Sequence, residues 1–433
     1  MLERYLLTPF QRFIRAESSS GVLLFGATII ALIWANSPFS ESYNNLWQFK
    51  IGITSEAFEL QKPLILWIND GLMAIFFFLI GLEIKRELLI GELNSFKKAS
   101  FPLFAAIGGM VFPLVFFFIL NKNPETLDGW GIPMATDIAF SLAILRLLGN
   151  RIPLSIKIFL TAFAIVDDIG AVLVIAIFYS ESINWMLILI SMVPLATLFI
   201  LSSRGIYLKY LVLIFGIAIW VLFLKSGIHP TVAGVLLSFA IPIRQKIDTD
   251  TFTEGLQKIE KRVKETKDVN VPMLSREQIH QLDRLETWTA KVQSPLQQLE
   301  HKLHSWAAYF IMPVFALSNA GVSFSADMNF DYPLIINIII CLVAGKCIGV
   351  SLLSFLSVKI KAADLPKGVR PMQIVGIALI AGVGFTMSIF IANLAFIGND
   401  IYIDSSKVGI LTGSVIAGIA GYIVLRMSSK EIK

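Results

Sequence analysis

Apolar residues run along the chain in long blocks that short polar connections separate. Each block is close to the ~20 residues that an α-helix needs to cross the hydrocarbon core of a bilayer. The blocks lie at residues 18–36, 64–84, 98–120, 129–149, 154–179, 184–202, 207–224, 227–243, 305–322, 334–358, 371–397 and 405–426. The pattern predicts an all-α polytopic membrane protein with about twelve transmembrane helices.

Composition and charge support this class. Of the 433 residues, 56% are hydrophobic and only 15% are charged, which excludes an ordinary soluble domain. The formal net charge is +5, but the basic residues lie in the connections, so they report topology and no nucleic-acid partner is expected. Outside the long polar loop, one set of alternate connections carries nineteen Lys or Arg and the other carries five. The positive-inside rule therefore predicts that both termini are cytoplasmic.

Two connections are longer than the others. Partial alternation within residues 37–63 predicts an extracytoplasmic β-hairpin near 46–62. The other long connection is polar and has apolar residues at helical spacing, which predicts a solvated helical insertion in the cytoplasm. The predicted parts are 1–243 with spans one to eight, 244–304 as the insertion, and 305–433 with spans nine to twelve.

Two adjacent carboxylates, Asp167 and Asp168, lie inside the block at 154–179. A carboxylate at the centre of a spanning helix costs about 2.5 to 3.5 kcal/mol on insertion scales, so we expect the pair to be functional and compensated. Consecutive helical residues point about 100° apart, so the two side chains cannot face the same small partner. Lys346 is the only Lys or Arg deep in an apolar block, and we expect it to pair with one aspartate. The alternative is a lysine that snorkels to the interface.

Two spans are interrupted at their middles. In the fourth, Pro133 removes a backbone donor shortly before Thr136 and Asp137, which predicts a broken helix. The eleventh span contains small and hydroxyl residues at Gly382, Gly384 and Thr386. Paired interruptions in the two halves indicate a secondary transporter built from inverted repeats, with Asp137 offsetting the positive ends of the half-helices. An aspartate that only caps a helix fragment is the alternative.

Seven sequence segments together resemble NhaA-type sodium/proton antiporters, and the similarity extends from about residue 10 to residue 426. The segments begin at Trp67 (WINDGLM), Gly81 (GLEIKREL), Met134 (MATDIAF), Ile165 (IVDDIGA), Leu299 (LEHKLHSW), Gly345 (GKCIG) and Gly382 (GVGFTMSIFIA). The resemblance implies a pH-regulated antiporter in the bacterial inner membrane that exports Na+ or Li+ in exchange for H+. It also implies contact with membrane lipid and a homodimer.

The resemblance further assigns roles to residues. Asp168 resembles the carboxylate that binds sodium or lithium, Asp167 the neighbour that takes part in ion or proton exchange, and Lys346 the lysine paired with Asp167. Thr136 and Asp137 match the broken fourth span, and the residues from Gly382 to Thr386 match its crossing counterpart. The positions that resemble the pH-response residues are Glu83, Glu300, His301, His304 and His229. The long insertion departs from the family pattern directly before Glu300.

Several of the pH-response positions also fit purely structural roles. Glu83 is followed at once by Lys85 and Arg86 and also fits an interfacial charge cluster. His229 also fits a helix cap, and His301 with His304 also fits one face of an amphipathic helix.

The chemistry favours ion exchange over other functions of a buried acidic pair. Sodium prefers oxygen ligands, and protons compete for the same carboxylate oxygens. A sodium-coupled symporter of related architecture is the main alternative. An intramembrane aspartyl protease would need two carboxylates that converge on one proton, and a cation channel would need an acidic ring or a carbonyl filter. No enzymatic activity and no cofactor are expected, and the two cysteines, Cys341 and Cys347, predict neither a disulfide nor a metal site.

Overall fold

The structure, a computed structural model, describes residues 9–55, 58–180, 182–245, 247–265, 275–324, 329–366 and 368–429. Both chain ends, which are expected in the cytoplasm, lie outside these ranges. The helices are α1 Pro9–Ala35, α2 Ser40–Gln48, α3 Leu64–Leu89, α4 Phe96–Leu120, α5 Ile138–Leu147, α6 Leu154–Phe178, α7 Trp185–Ser203, α8 Lys209–Ser226, α9 Thr231–Phe239, α10 Thr249–Glu265, α11 Arg276–Val292, α12 Pro295–Trp306, α13 Met312–Asn319, α14 Tyr332–Lys359, α15 Pro371–Ile380, α16 Phe385–Ala395 and α17 Asp400–Ser428.

Irregular helical turns interrupt several of these elements. A 3₁₀ segment at Pro124–Met134 precedes α5, and a short one at Gly149–Arg151 follows it. π-helical turns lie within α3 at Trp67–Leu72, between α12 and α13 at Ala307–Ile311, and within α14 at Cys341–Gly345. Such turns are frequent at functional sites.

The lengths of the helices confirm a polytopic membrane protein. In the described ranges, seven helices are long and apolar enough to cross a membrane, and ten spans result if each of three bent pairs counts as one. The two predicted blocks outside this set are 227–243 and 305–322. The first contains α9, whose nine residues are fewer than the ~20 of a full span. In the second, α12, the π-helical turn and α13 form one continuous helix over residues 295–319, which begins in the polar insertion.

A β-hairpin lies at one end of the helical bundle. Strand β1 Lys50–Ser55 pairs antiparallel with β2 Phe58–Pro63, and Lys50 lies opposite Pro63. The hairpin starts later than predicted because residues 46–48 belong to α2. We call this end of the bundle the hairpin end, and α3 leaves it directly after β2.

The helices of the polar connection lie at the other end, which we call the insertion end. Helices α10 and α11 pack against each other where Gly255 lies under the ring of Trp288. Helix α12 then begins with a capping box, in which Ser294 Oγ accepts a hydrogen bond from the Gln297 backbone N–H at 3.2 Å. The Leu296 backbone N–H donates to the Pro242 carbonyl at 3.2 Å, which fixes the start of α12 beside the end of the preceding membrane part.

Helices α4 and α14 make a close contact through glycine. A Cβ atom built at Gly108 would meet the carbonyl oxygen of Gly349, and one built at Gly349 would meet that of Gly108. Gly345 lies close to Pro113, where a Cβ atom would be 3.0 Å from the Pro113 Cα. Small residues allow the two backbones to approach, as is common between membrane helices. The contact sets the position of Lys346, which follows Gly345 at the end of the π-helical turn.

Candidate functional site

The interruptions of the fourth and eleventh predicted spans lie against each other. The 3₁₀ segment and α5 are bent by 50°, and α15 and α16 by 46°. The Asp137 backbone N–H donates to the Val383 carbonyl at 2.7 Å, and Thr136 Oγ1 donates to the Ala381 carbonyl at 2.9 Å. Each interruption therefore supplies partners for backbone groups that the other leaves without a helical partner.

Gly382 and Gly384 lie where the second interruption is closely packed, Gly382 against α14 and Gly384 against the first interruption. A Cβ atom at Gly382 would lie 3.0 Å from the Leu379 carbonyl and closer still to the Leu342 carbonyl. A Cβ atom at Gly384 would lie 3.1 Å from the carbonyl of Ala135 in the facing interruption. A side chain at Gly384 would push the two interruptions apart, and one at Gly382 would push the second interruption away from α14.

Asp137 caps two helices at once. Its Oδ1 accepts a hydrogen bond from the Phe140 backbone N–H at 3.0 Å, at the start of α5. Its Oδ2 accepts from the Thr386 backbone N–H at 3.2 Å and from Thr386 Oγ1 at 2.5 Å, at the start of α16. A carboxylate between two helix N-termini offsets the positive ends of both dipoles.

Lys346 and Asp167 form an ion pair in the interior of the bundle. Lys346 Nζ donates to Asp167 Oδ2 at 2.7 Å, and neither side chain is exposed. Lys346 Nζ also donates to Thr136 Oγ1 at 2.8 Å. Through these contacts α14, α6 and the interruption before α5 are joined by one polar network.

Asp168 has a different environment. Among the residues that the structure describes, it has neither an ion pair nor a hydrogen-bond partner, although it is only 3% exposed. Its side chain lines a cavity of about 40 Å³ together with Thr136, Asp137 and Glu83. A cavity of this size holds a small number of water-sized occupants. Of the two adjacent aspartates, Asp168 is therefore the one that faces the cavity.

A charged cluster surrounds the insertion end of this cavity. His304 Nδ1 lies 3.9 Å from Glu83 Oε1, and Arg86 Nε lies 3.2 Å from Glu300 Oε1. Burial raises the pKa of Glu300 to about 7, the Arg86 charge opposes that shift, and the Glu83 carboxylate adds to it. His301 is exposed beside this cluster. Four of the five residues that resemble pH-response positions therefore lie at one end of the bundle.

His229 lies at the other end of the bundle. Its Nε2 is 3.5 Å from Asp70 Oδ1, and its Nδ1 shares a 2.8 Å hydrogen bond with Thr231 Oγ1. Asp70 and Glu83 are both on α3, and thirteen residues of helix separate them by about 20 Å. The structure does not bring His229 together with the other four pH-response candidates.

Three asparagines near the hairpin end were not among the predicted site residues. Asn69 Nδ2 donates to Asn319 Oδ1 at 3.1 Å, and Asn319 Nδ2 donates to Asn69 Oδ1 at 2.9 Å. Asn393 Nδ2 donates to the same Asn319 Oδ1 at 2.7 Å. The sequence feature that could have identified them is an amide side chain inside an apolar block, because a buried amide needs a hydrogen-bond partner.

Known proteins are similar to this chain over nearly its whole length. The family model described as Na+/H+ antiporter 1 matches residues 11–425. The Na(+)/H(+) antiporter NhaA of Oleidesulfovibrio alaskensis is 47% identical over 98% of this chain and 94% of its own length. The protein of the same name from Wolinella succinogenes is 44% identical over 95% of this chain and 91% of its own length. That of Helicobacter pylori is 44% identical over 98% and 96%.

Proposed function

This chain belongs to the Na+/H+ antiporter 1 family, and from that premise we propose that Asp168 is the carboxylate at which the two ions compete. The protein is a multi-pass membrane transporter that exchanges Na+ for H+, and it is not an enzyme. The observation that carries the proposal is the unpaired Asp168 carboxylate on the wall of the cavity, within the part of the chain that the structure describes.

Competition for this carboxylate is sufficient for exchange when access alternates between the two sides. Na+ is a hard cation that binds ionised carboxylate and neutral oxygen ligands, and a proton occupies the same oxygens. In this proposal the remaining ligands come from the adjoining interruptions, where Thr136 lines the cavity. Alternating access would follow from an inverted-repeat fold of about twelve spans, with the broken fourth and eleventh spans crossing at the site.

Asp167 has a second role in this mechanism. Its pairing with Lys346 keeps one buried carboxylate compensated while Asp168 is free to bind an ion. Protonation of Asp167 or movement of Lys346 would release this pair during the cycle. Asp137, which is held by two helix N-termini, would keep the interruptions aligned and offset their positive ends. Gly384 and Thr386 would keep the two interruptions in contact, and Gly382 would keep the second one close to α14.

The cellular setting is also part of the proposal. We assign the protein to a bacterial inner membrane with both termini in the cytoplasm, and to the export of Na+ or Li+ against H+ entry. Glu83, Glu300, His301 and His304 would adjust the rate to cytoplasmic pH from the insertion end, and His229 would respond separately at the hairpin end. The open edge of the β-hairpin offers a pairing surface for a homodimer, and the exposed apolar faces of α7 and α8 would contact lipid.

The test is the Asp168→Asn variant in everted membrane vesicles. Sodium is added to vesicles that hold a pH gradient, and dissipation of the gradient is followed with a fluorescent dye. The variant should insert into the membrane and lose sodium-dependent proton movement, while Asp400→Asn on the exposed start of α17 should retain it. Antiport that persists in Asp168→Asn would refute the assignment. Separate additions of Li+ and K+ measure ion preference.

A further inference from the structure

Three phenylalanines close the interior between the cavity and the hairpin end. The ring centroid of Phe390 lies 5.7 Å from that of Phe77 and 6.2 Å from that of Phe315. None of the three side chains is more than 1% exposed. We call them the phenylalanine layer. They come from α16, α3 and α13, so the layer fills the space where these helices meet.

The three asparagines form a second layer beyond the first. Asn393 follows Phe390 by three residues on α16, and Asn319 follows Phe315 by four on α13, so they lie about 4.5 and 6 Å further toward the hairpin end. Asn69 precedes Phe77 by eight residues on α3, which runs in the opposite direction. We call Asn69, Asn319 and Asn393 the asparagine triad.

Hydrogen bonds of the asparagine triad join three separate helices. Asn69 and Asn319 exchange two hydrogen bonds and so tie α3 to α13. Asn393 on α16 adds a hydrogen bond to Asn319 Oδ1 at 2.7 Å. Among the described residues, this hydrogen bond is the one within the triad that joins α16 to α13. The same helix α16 carries Thr386, which binds Asp137 at the ion site. Movement of α16 away from α13 would therefore break one amide contact and open the phenylalanine layer.

We propose that the phenylalanine layer and the asparagine triad are the gate that closes the ion site toward the hairpin end, with Asn393 as its latch. The proposal rests on the proposed function, because Asp168 defines where the ion path begins. Asn393 is a positioning residue, since it acts on the path through α16 without touching the ion. Loss of the latch should raise the population of molecules whose site is open toward the hairpin end.

The test measures access to the cavity from each side. Ala308 lines the cavity, and Ala308→Cys places a thiol there after the two native cysteines are replaced by alanine. A charged, membrane-impermeant methanethiosulfonate is added to intact cells and, separately, to everted vesicles, and the rate of thiol modification is measured. We expect the rate from the hairpin side to rise about fivefold in Asn393→Ala, the equilibrium factor for one hydrogen bond of about 1 kcal/mol.

Two further variants separate the latch from general damage. Asn393→Ser keeps a shorter donor and should show a smaller increase, and it replaces Asn393→Ala if that variant does not fold. Asn337→Ala removes another buried amide, which donates to the Phe117 carbonyl at 3.1 Å outside the proposed gate, and should leave the rate unchanged. An unchanged rate in both Asn393 variants, or an equal increase in Asn337→Ala, overturns the gate.

Transport gives a second readout. The apparent KM for Na+ supplied from the hairpin side should fall in Asn393→Ala, because a larger fraction of molecules exposes the site there. A purely structural defect would lower the maximal rate and leave thiol access unchanged, which contradicts the proposal. Thiol modification requires no transport, so it decides the gate even if Asp168→Asn retains antiport and the proposed function fails.

Discussion

Asp167 Oδ2 lies 2.7 Å from Lys346 Nζ although 179 positions separate the two residues in the sequence. The next residue, Asp168, faces the cavity instead. Neighbouring helical residues diverge by about 100°, so the chain directs two adjacent carboxylates to different environments. One is paired with a lysine and the other lines the cavity.

The ion pair makes a prediction about stability. Lys346→Ala should leave Asp167 buried without a counter-charge and lower the free energy of unfolding by about 3 to 5 kcal/mol, the usual cost of breaking a buried pair. Thermal unfolding of the purified protein in detergent measures the loss. The variant should also show an altered pH dependence of antiport, because the counter-charge of Asp167 is gone.

A double variant checks the cause of this loss. Lys346→Ala combined with Asp167→Asn removes both charges, so it should be more stable than Lys346→Ala alone. Equal stabilities of the single and double variants would show that lost packing, and not the unpaired carboxylate, causes the effect.

Asp137 makes a second prediction, because it caps α5 and α16 together. Asp137→Ala removes acceptors from both helix N-termini and should cost about 2 kcal/mol, roughly one capping interaction at each. Asp137→Asn retains one oxygen and should fall between the wild type and the alanine variant. Thermal unfolding again measures the change. A loss in Asp137→Ala no larger than that of a single exposed cap, such as Asn184→Ala at the start of α7, would contradict the double role.

Much of the site was predictable because charge in an apolar block is conspicuous. Asp167, Asp168 and Lys346 are each costly to bury, so each must be compensated. Pro133 interrupts the fourth span because it lacks a backbone donor, and Gly382 and Gly384 mark the interruption of the eleventh. Local sequence and the properties of the bilayer are enough to identify these residues. They do not predict which of the residues contact each other or at what distance.

Other features depend on distances that sequence does not contain. The asparagine triad escaped prediction because a neutral amide costs less than a charge, and its partners are 74 and 250 positions apart in the sequence. His229 was grouped with Glu83 by resemblance, although α3 places Asp70, its partner, about 20 Å from Glu83. The twelve spans stay a prediction, because up to ten are found among the described residues by length and composition, and the blocks at 227–243 and 305–322 are not among them.

Glu300 makes a third prediction, about pH. Burial raises its pKa from 4.5 to about 7, so the folded protein holds this proton more tightly than the unfolded chain does. The stabilisation is complete below about pH 4.5 and is lost as the pH rises through about 7. Glu300→Gln should flatten the dependence of the unfolding temperature on pH in this interval, whereas Glu92→Gln at an exposed position should leave it unchanged. If the unfolding temperature of Glu300→Gln still changed with pH as in the wild type, another titrating group would be responsible for the pH dependence.

The glycine contact between α4 and α14 makes the last prediction. Gly349→Ala introduces a Cβ atom that would overlap the Gly108 carbonyl and lie 2.7 Å from Phe112 Cβ, so the helices must separate. Overpacking of this kind costs about 1 to 3 kcal/mol. Because Lys346 is one turn away on α14, the separation should also weaken its pairing with Asp167 and lower the antiport rate.

The matched control is Gly26→Ala on α1, where a Cβ atom meets nothing within 4 Å. That change should leave antiport intact and raise stability slightly, since alanine favours a helix over glycine by about 0.5 to 1 kcal/mol. If both variants behaved alike in thermal unfolding and in vesicle transport, the close approach at Gly349 would not be what positions Lys346.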